Sequence, residues 1–193
     1  MNSIVKLAAA TAAVALVAAP SAFAAPQGPW TGPYAGAIIQ SNLTESDYIS
    51  SERALGLGVY GGYNYQFARH FVLGGDVFYN WNQSKTHTNL KGQQGDFGLS
   101  VYGLDVKAGF PVGRNGAWMP YVKLGYGWDH AHGSASGGFG TRSAMRLGFG
   151  VGWRINRHVS VHAEYMYQKI SDLNNLENRD LAIGASWHFA MPH

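Results

Sequence analysis

Residues 121–129 read Tyr-Val-Lys-Leu-Gly-Tyr-Gly-Trp-Asp, and residues 145–155 read Met-Arg-Leu-Gly-Phe-Gly-Val-Gly-Trp-Arg-Ile. In an extended chain successive side chains face opposite ways. The first stretch therefore sets Tyr121, Lys123, Gly125, Gly127 and Asp129 against Val122, Leu124, Tyr126 and Trp128. The second sets Arg146, Gly148, Gly150, Gly152 and Arg154 against Met145, Leu147, Phe149, Val151, Trp153 and Ile155. A water-soluble sandwich also alternates, but it keeps its charges on the outer face. Here the charges share a face with glycines, and the apolar face ends in aromatics. That combination predicts an all-β fold, an antiparallel up-and-down transmembrane β-barrel with an apolar outside and a polar inside.

The N-terminal segment carries its own signal. Lys6 is a positive n-region, 7–19 is an apolar h-region, and Ala22-Phe23-Ala24 is an A-x-A cleavage site. The apolar run is short for a spanning helix. Residues 1–24 are accordingly expected to be a cleaved signal peptide and 25–193 one barrel domain, the 193 residues less 24 leaving 169. Loss of Lys6 lowers the formal charge from +3 to +2, so no basic field points to nucleic acid. The chain has no Cys, which excludes a disulfide framework and thiol chemistry. With 13% aromatic and only 13% charged residues, the composition is the reverse of a disordered chain. No later segment has the apolar length of a transmembrane helix, which leaves a closed barrel as the spanning solution.

Eight strands are expected, at 34–40, 55–67, 71–82, 99–110, 118–129, 145–155, 159–169 and 181–189. Most approach or exceed the ~9–11 residues that cross a bilayer on a tilt. The first is the shortest, and Ile38 interrupts its polar face. The connections alternate in length: 68–70, 111–117 and 156–158 are short, whereas 41–54, 83–98, 130–144 and 170–180 are long and polar. Outer-membrane barrels place short turns in the periplasm and long loops outside. Two aromatic girdles follow from this assignment. Trp30, Phe71, Phe110, Trp118, Trp153, Trp187 and Phe189 fall at the periplasmic rim, and Tyr79, Trp81, Tyr126, Trp128, Tyr165 and Tyr167 at the outer rim.

The opening Trp30-Thr31-Gly32-Pro33-Tyr34-Ala35-Gly36-Ala37, the Gly-aromatic strands and the terminal Ala182-Ile183-Gly184-Ala185-Ser186-Trp187-His188-Phe189 resemble the eight-stranded outer-membrane barrel family of outer-membrane protein A and the Opacity-type surface antigens. The resemblance covers the whole mature chain and implies the outer membrane of a Gram-negative bacterium. It also implies contact with outer-membrane lipid and lipopolysaccharide, and delivery by the barrel-assembly machinery through the C-terminal strand. The chain departs from the family in continuing past Phe189 with Ala190-Met191-Pro192-His193. No peptidoglycan-binding domain is expected after the barrel, unlike in outer-membrane protein A. One barrel hosts many roles, so the function implied is coarse. It is a surface protein with an envelope-structural and adhesin- or antigen-like role, carried by four loops that could meet a host or surface ligand. A narrow, porin-like gated channel is the alternative, ahead of a lipid A-modifying enzyme or a haem- or metal-binding surface protein.

Six inward positions near mid-barrel carry charge: Asp76, Asp105 and Glu164 against Lys107, Lys123 and Arg146. In so narrow a barrel they are expected to pair and plug the lumen, with Arg146 partnered by Glu164 on the adjacent strand. Gly148 to Gly152 reads G-x-G-x-G but lacks the strand-turn-helix context of a phosphate loop, and inner-face glycines make room for long side chains. His130 and His132 face the same way at the start of the third loop and are incomplete as metal ligation. Ser160, His162 and Glu164 form a conceivable catalytic set, but all three point inward rather than to lipid. Asn42-Leu43-Thr44 matches a glycosylation sequon without meaning in a bacterial chain. No cofactor is expected. The loops carry Glu45, Asp47, Glu52 and Arg53 in the first and Lys85, His87 and Lys91 in the second, without a recognition motif.

Overall fold

The structure is a computed structural model that describes residues 28–46, 49–67, 70–82, 85–88, 94–132, 142–170 and 177–189. Residues 1–27, the expected signal peptide among them, and several expected loop residues, such as Asp47 and Lys91, lie outside the described residues. The strands are β1 (Gly32–Ser46), β2 (Ile49–Phe67), β3 (Phe71–Asn82), β4 (Lys85–Thr88), β5 (Gln94–Gly109), β6 (Trp118–His132), β7 (Arg142–Arg154), β8 (Val159–Ile170) and β9 (Glu177–His188). Sequence neighbours pair antiparallel, β3 pairs directly with β5, and β1 pairs with β9, so eight strands close an up-and-down barrel. The short β4 is an arm laid along the extension of β5, from Lys85↔Phe97 to Thr88↔Gln94. Closure leaves no sheet edge, which satisfies the backbone of every barrel strand internally.

The inside-out pattern read from the sequence is present throughout. Gln40, Asp76, Asp105, Lys123, Arg146 and Glu164 are buried, whereas Leu124, Phe149 and Ile183 are 54%, 62% and 67% exposed on the outer wall. Ile38 is inward too, and its neighbours explain it. It pairs with Gly58 on β2 and Gly184 on β9, and its branches fill the space those residues leave. A Cβ on Gly184 would lie 2.8 Å from the Ala37 carbonyl oxygen and 2.6 Å from the His162 ring. Gly61 is different, since a Cβ there would meet nothing closer than 3.5 Å.

The strands run further than expected at the end where the long connections lie, here termed the loop end. β1 and β2 stay paired through Thr44↔Glu52 to Ser46↔Ile49, with a register shift between Thr44 and Ser46, inside the segment expected as the first loop. β6, β7 and β9 also extend beyond their expected limits, to His132, from Arg142 and from Glu177. An apolar outer face marks only the part of a strand that lipid covers. A ladder of backbone hydrogen bonds continues in water without it, and polar composition there does not mean loop.

The opposite end, the turn end, is tight. Its connections are 68–70, 110–117 and 155–158, the second containing a single 3-10 turn at Arg114–Gly116. Gly113, Asn115 and Gly116 there take positive φ, which Gly and Asn adopt most readily. Trp30 is a correction at this end. Expected on the lipid-facing girdle, it is instead 2% exposed in a cluster with Val72, Met119 and Tyr121 that closes the lumen. It precedes β1, and a turn from Gly28 to Thr31 carries the chain under the barrel mouth. There its indole Nε1 donates to the Gly116 carbonyl at 2.8 Å, a bond that lipid could not supply. The other girdle residues do face outward. At the turn end Phe67, Phe71 and Phe110 contact in sequence, and Trp118 stacks on Trp153 at 5.4 Å. At the loop end Tyr102 and Tyr126 pack on Trp128, and Phe149 leans on Tyr165 towards the middle.

These contacts separate inner from outer glycines. Gly184→Ala should lower the urea-unfolding stability of the lipid-refolded protein by about 1–3 kcal/mol, as overpacking against backbone does. Gly61→Ala should change it by less than about 0.5 kcal/mol.

Candidate functional site

The lumen holds the charged cluster, and strand register explains its form. Asp76 on β3 lies directly opposite Asp105 on β5, and Lys107 on β5 directly opposite Lys123 on β6. Like charges facing each other across neighbouring strands repel. Relief comes from across the barrel, which is narrow enough for side chains to meet at the axis. The Lys123 ammonium lies 3.1 Å from Glu164, 3.6 Å from Asp76 and 3.8 Å from Asp105, touching carboxylates from three strands. Lys107 lies 3.9 Å from Asp76 and donates to the Tyr34 hydroxyl at 3.1 Å. Tyr34 in turn donates to Asp76 at 2.8 Å, and Tyr121 donates to Glu164 at 2.9 Å.

Arg146 has a different place from the one expected. It pairs across β8 with Gln168, not Glu164, which lies four residues further along. Glu164 is held by Lys123 and Tyr121. The Arg146 guanidinium lies 3.8 Å over the Phe78 ring, with Nε and Nη1 lacking hydrogen-bond partners. Its carboxylate neighbour by register is Asp105, separated from it by Gly125 on the strand between. A side chain at Gly125 would fall on the Asp105 carboxylate and within 2.8 Å of the Leu104 carbonyl oxygen. The glycine therefore keeps this side of the lumen open for the acid. Above this level the filling is mostly polar, with Gln40 donating to Asn82 and Gln168 to Asp129, both at 2.8 Å.

Below the charged level lies a cavity of about 30 Å³, lined in part by Tyr60, Ser160, His162, Ser186 and His188. Ser160, His162 and Glu164 do not converge. Ser160 bonds His188 at 2.8 Å, the His162 Nδ1 faces the Tyr60 hydroxyl at 3.5 Å, and Glu164 bonds Lys123 and Tyr121. Residues at i, i+2 and i+4 on one strand face lie some 6–7 Å apart in steps, so each reaches a different strand across the lumen. Tyr60 also bonds Ser186 at 2.6 Å. Sequence reasoning missed the tyrosines, which finish the ion-pair geometry. Their signal was available, since Tyr34, Tyr60 and Tyr121 all occupy inward positions of the alternation. His130 is exposed at the loop end of β6, and the side chain of His132 lies outside the described residues. Among the described residues no three metal-ligating side chains converge.

The closed eight-stranded wall with a polar interior has a counterpart among sequence families. Residues 9–189 match the family model described as the outer membrane protein beta-barrel domain. The chain belongs to this family. The outer-membrane barrel has no match among curated proteins. Among solved structures it is similar to Neisserial surface protein A (NspA), with 20% identity and a TM-score of 0.65 over 82% of this chain and 98% of that one. It is similar also to Ail, the attachment invasion locus protein of Yersinia pestis, at 16% identity and TM-score 0.59 over 82% and 99%. OprG from Pseudomonas aeruginosa matches at 16% identity and TM-score 0.51 over 86% and 100%. At these identities the likeness is one of fold. Membership of the outer membrane protein family places the chain in the outer membrane of a Gram-negative bacterium.

Two outcomes follow from this geometry. Leu124→Arg, near mid-membrane on the lipid face, should cost about 2–4 kcal/mol in lipid-vesicle unfolding, whereas arginine at Ser136 in the third loop should cost little. Lys123→Met leaves three carboxylates without their shared cation and should cost about 3–5 kcal/mol. A double-mutant cycle of Lys123→Met with Glu164→Gln should show coupling above about 1 kcal/mol, and one of Arg146→Ala with Glu164→Gln should be near additive.

Proposed function

We propose that this outer-membrane barrel is a non-enzymatic surface protein: a plugged anchor with an envelope-structural role that presents its loop-end segments to the outside as an adhesin- or antigen-like surface. The observation that carries this reading is the cross-brace at Lys123. A cation tied to acids on three strands, above a lumen end closed by Trp30, Val72 and Met119, occupies the axis that a solute would use. Conduction selected by side-chain charge uses rings of one sign. The mid-lumen has instead three acids and three bases. The long, polar segments are at the other end, on a rigid scaffold, where specificity can vary freely. Two structural relatives carry such roles in their names, one a surface protein and the other an attachment invasion locus protein.

Purified protein in planar bilayers should give little or no steady conductance. Epitope tags inserted within 83–95 or 133–140 should be detected on intact cells, and one near Asn156 only after permeabilisation. Large, steady conductance would favour a channel, and the inverse tag pattern would reverse the assigned orientation.

A further inference from the structure

Charge is distributed unevenly along the barrel axis. Leaving aside residues 1–24, the eleven acids divide into three at mid-lumen and eight towards the loop end. None lies in 28–33, 67–72, 110–120, 153–160 or 186–193, segments whose described residues build the turn end. Those same segments carry Arg69, Arg114, Arg154 and Arg157, together with four histidines. At the loop end, by contrast, the eight acids are interspersed with six bases.

Arg114, Arg154 and Arg157 sit in one framework. The Arg154 amide donates to the Ala117 carbonyl at 2.8 Å, tying the turn after β7 to the one bearing Arg114. Its guanidinium lies 5.6 Å from the Trp30 ring centre and donates through Nε to the Asn156 carbonyl at 3.1 Å, and through Nη2 to that of Arg157 at 2.5 Å. The Asn156 side chain accepts from the amides of His158 and Val159, both at 2.8 Å, so the turn is pinned. Within this frame the side chains of Arg114 and Arg157 are exposed, as is that of His70 on the turn after β2. His158 stacks on Trp187 at 5.2 Å, a girdle residue, and Arg154 follows Trp153, another.

The cations are therefore at the depth of the aromatic girdle. Arg157 lies in a connection of four residues, 155–158, and Arg114 in one of eight, 110–117, which the Val112–Trp118 bridge folds back into a short tip. Such turns cannot reach a polymer set away from the membrane, but they lie level with lipid headgroups. We propose that the turn end is a binding surface for anionic phospholipid headgroups of the adjacent leaflet, with Arg114 and Arg157 as its exposed phosphate contacts. Clustered arginines recruit anionic lipid in this way, over a range set by the Debye length. The proposal rests on the chain spanning a bilayer and not on what the loop end binds.

The test uses the full barrel carrying Trp81→Phe and Trp128→Phe, so that its remaining tryptophans report from the turn end. It is reconstituted in phosphatidylcholine nanodiscs containing a minor share of either brominated phosphatidylglycerol or brominated phosphatidylcholine. At low salt the anionic lipid should quench the fluorescence roughly two- to five-fold more efficiently than the zwitterionic one. The excess should vanish at about 1 M salt, where the Debye length is ~3 Å. Arg114→Gln with Arg157→Gln should remove at least half of it, while Lys85→Gln at the loop end should leave it intact. Both arginines are exposed, and heat-modifiable gel migration checks that the variants fold. Should the double variant not fold, the lipid and salt comparisons on the parent protein still decide. Equal quenching by the two lipids, or an excess unmoved by salt or by the double variant, would overturn the proposal. Binding to purified cell-wall sacculi without lipid preference would likewise overturn it and assign the surface to a wall polymer. Conductance or tag results at the loop end leave this measurement unchanged, so the two readings fail separately.

Discussion

The Lys123 ammonium, within 3.1–3.8 Å of carboxylates from β3, β5 and β8, is the contact to which the other lumen residues adjust. A cation in a dry interior needs compensation close by, and one carboxylate at nearly 4 Å would leave it poorly compensated. Three acids then require further cations and donors of their own. Lys107 with Tyr34 completes Asp76, and Tyr121 completes Glu164. Space for these long side chains comes from glycines such as Gly125 on the same wall. The glycine content of the strands and the charge in the lumen are thus two sides of one steric problem.

That arrangement also bears on register. A slip of one residue in β6 would carry Lys123 and Asp129 to the lipid face and bring Leu124 and Tyr126 into the polar lumen. A lysine at the bilayer midplane costs about 2–4 kcal/mol, a large share of a typical domain's stability. An apolar lumen would impose no such penalty, since either face could then meet lipid. The buried charges separate the correct pairing from its nearest competitor, whatever they contribute to stability itself.

The architecture was legible in the sequence because the bilayer imposes a strict period-two pattern on each crossing. Leu124 and Phe149 could be assigned outward, and Asp105 and Arg146 inward, from parity alone. Where lipid ends the pattern loses its cause, and there the reading failed: 41–46 and 49–54 look like loop but are paired strand. Trp30 failed for a related reason. It precedes the first strand, so no parity governs it, and a polar partner at Gly116, 86 residues away, decides its direction. The Arg146–Glu164 pairing failed because parity places residues on a face but not at a height. Height depends on the stagger between strands, and Gln168 rather than Glu164 stands opposite Arg146.

The two ends of the barrel consequently differ in what they can do. At the turn end, the connections after β5 and β7 are tied to one another by the backbone bond from Arg154 to Ala117, and an indole fills the mouth. Little there can rearrange, and a recognition surface built on it must be rigid and read charge rather than shape. At the loop end the strands continue beyond the lipid as paired ribbons, ending in connections free of the inside-out constraint. Sequence can change there without disturbing the Lys123 cross-brace or the girdles. One end therefore suits a fixed role in holding the protein in its leaflet, and the other suits recognition that varies while the anchor stays the same.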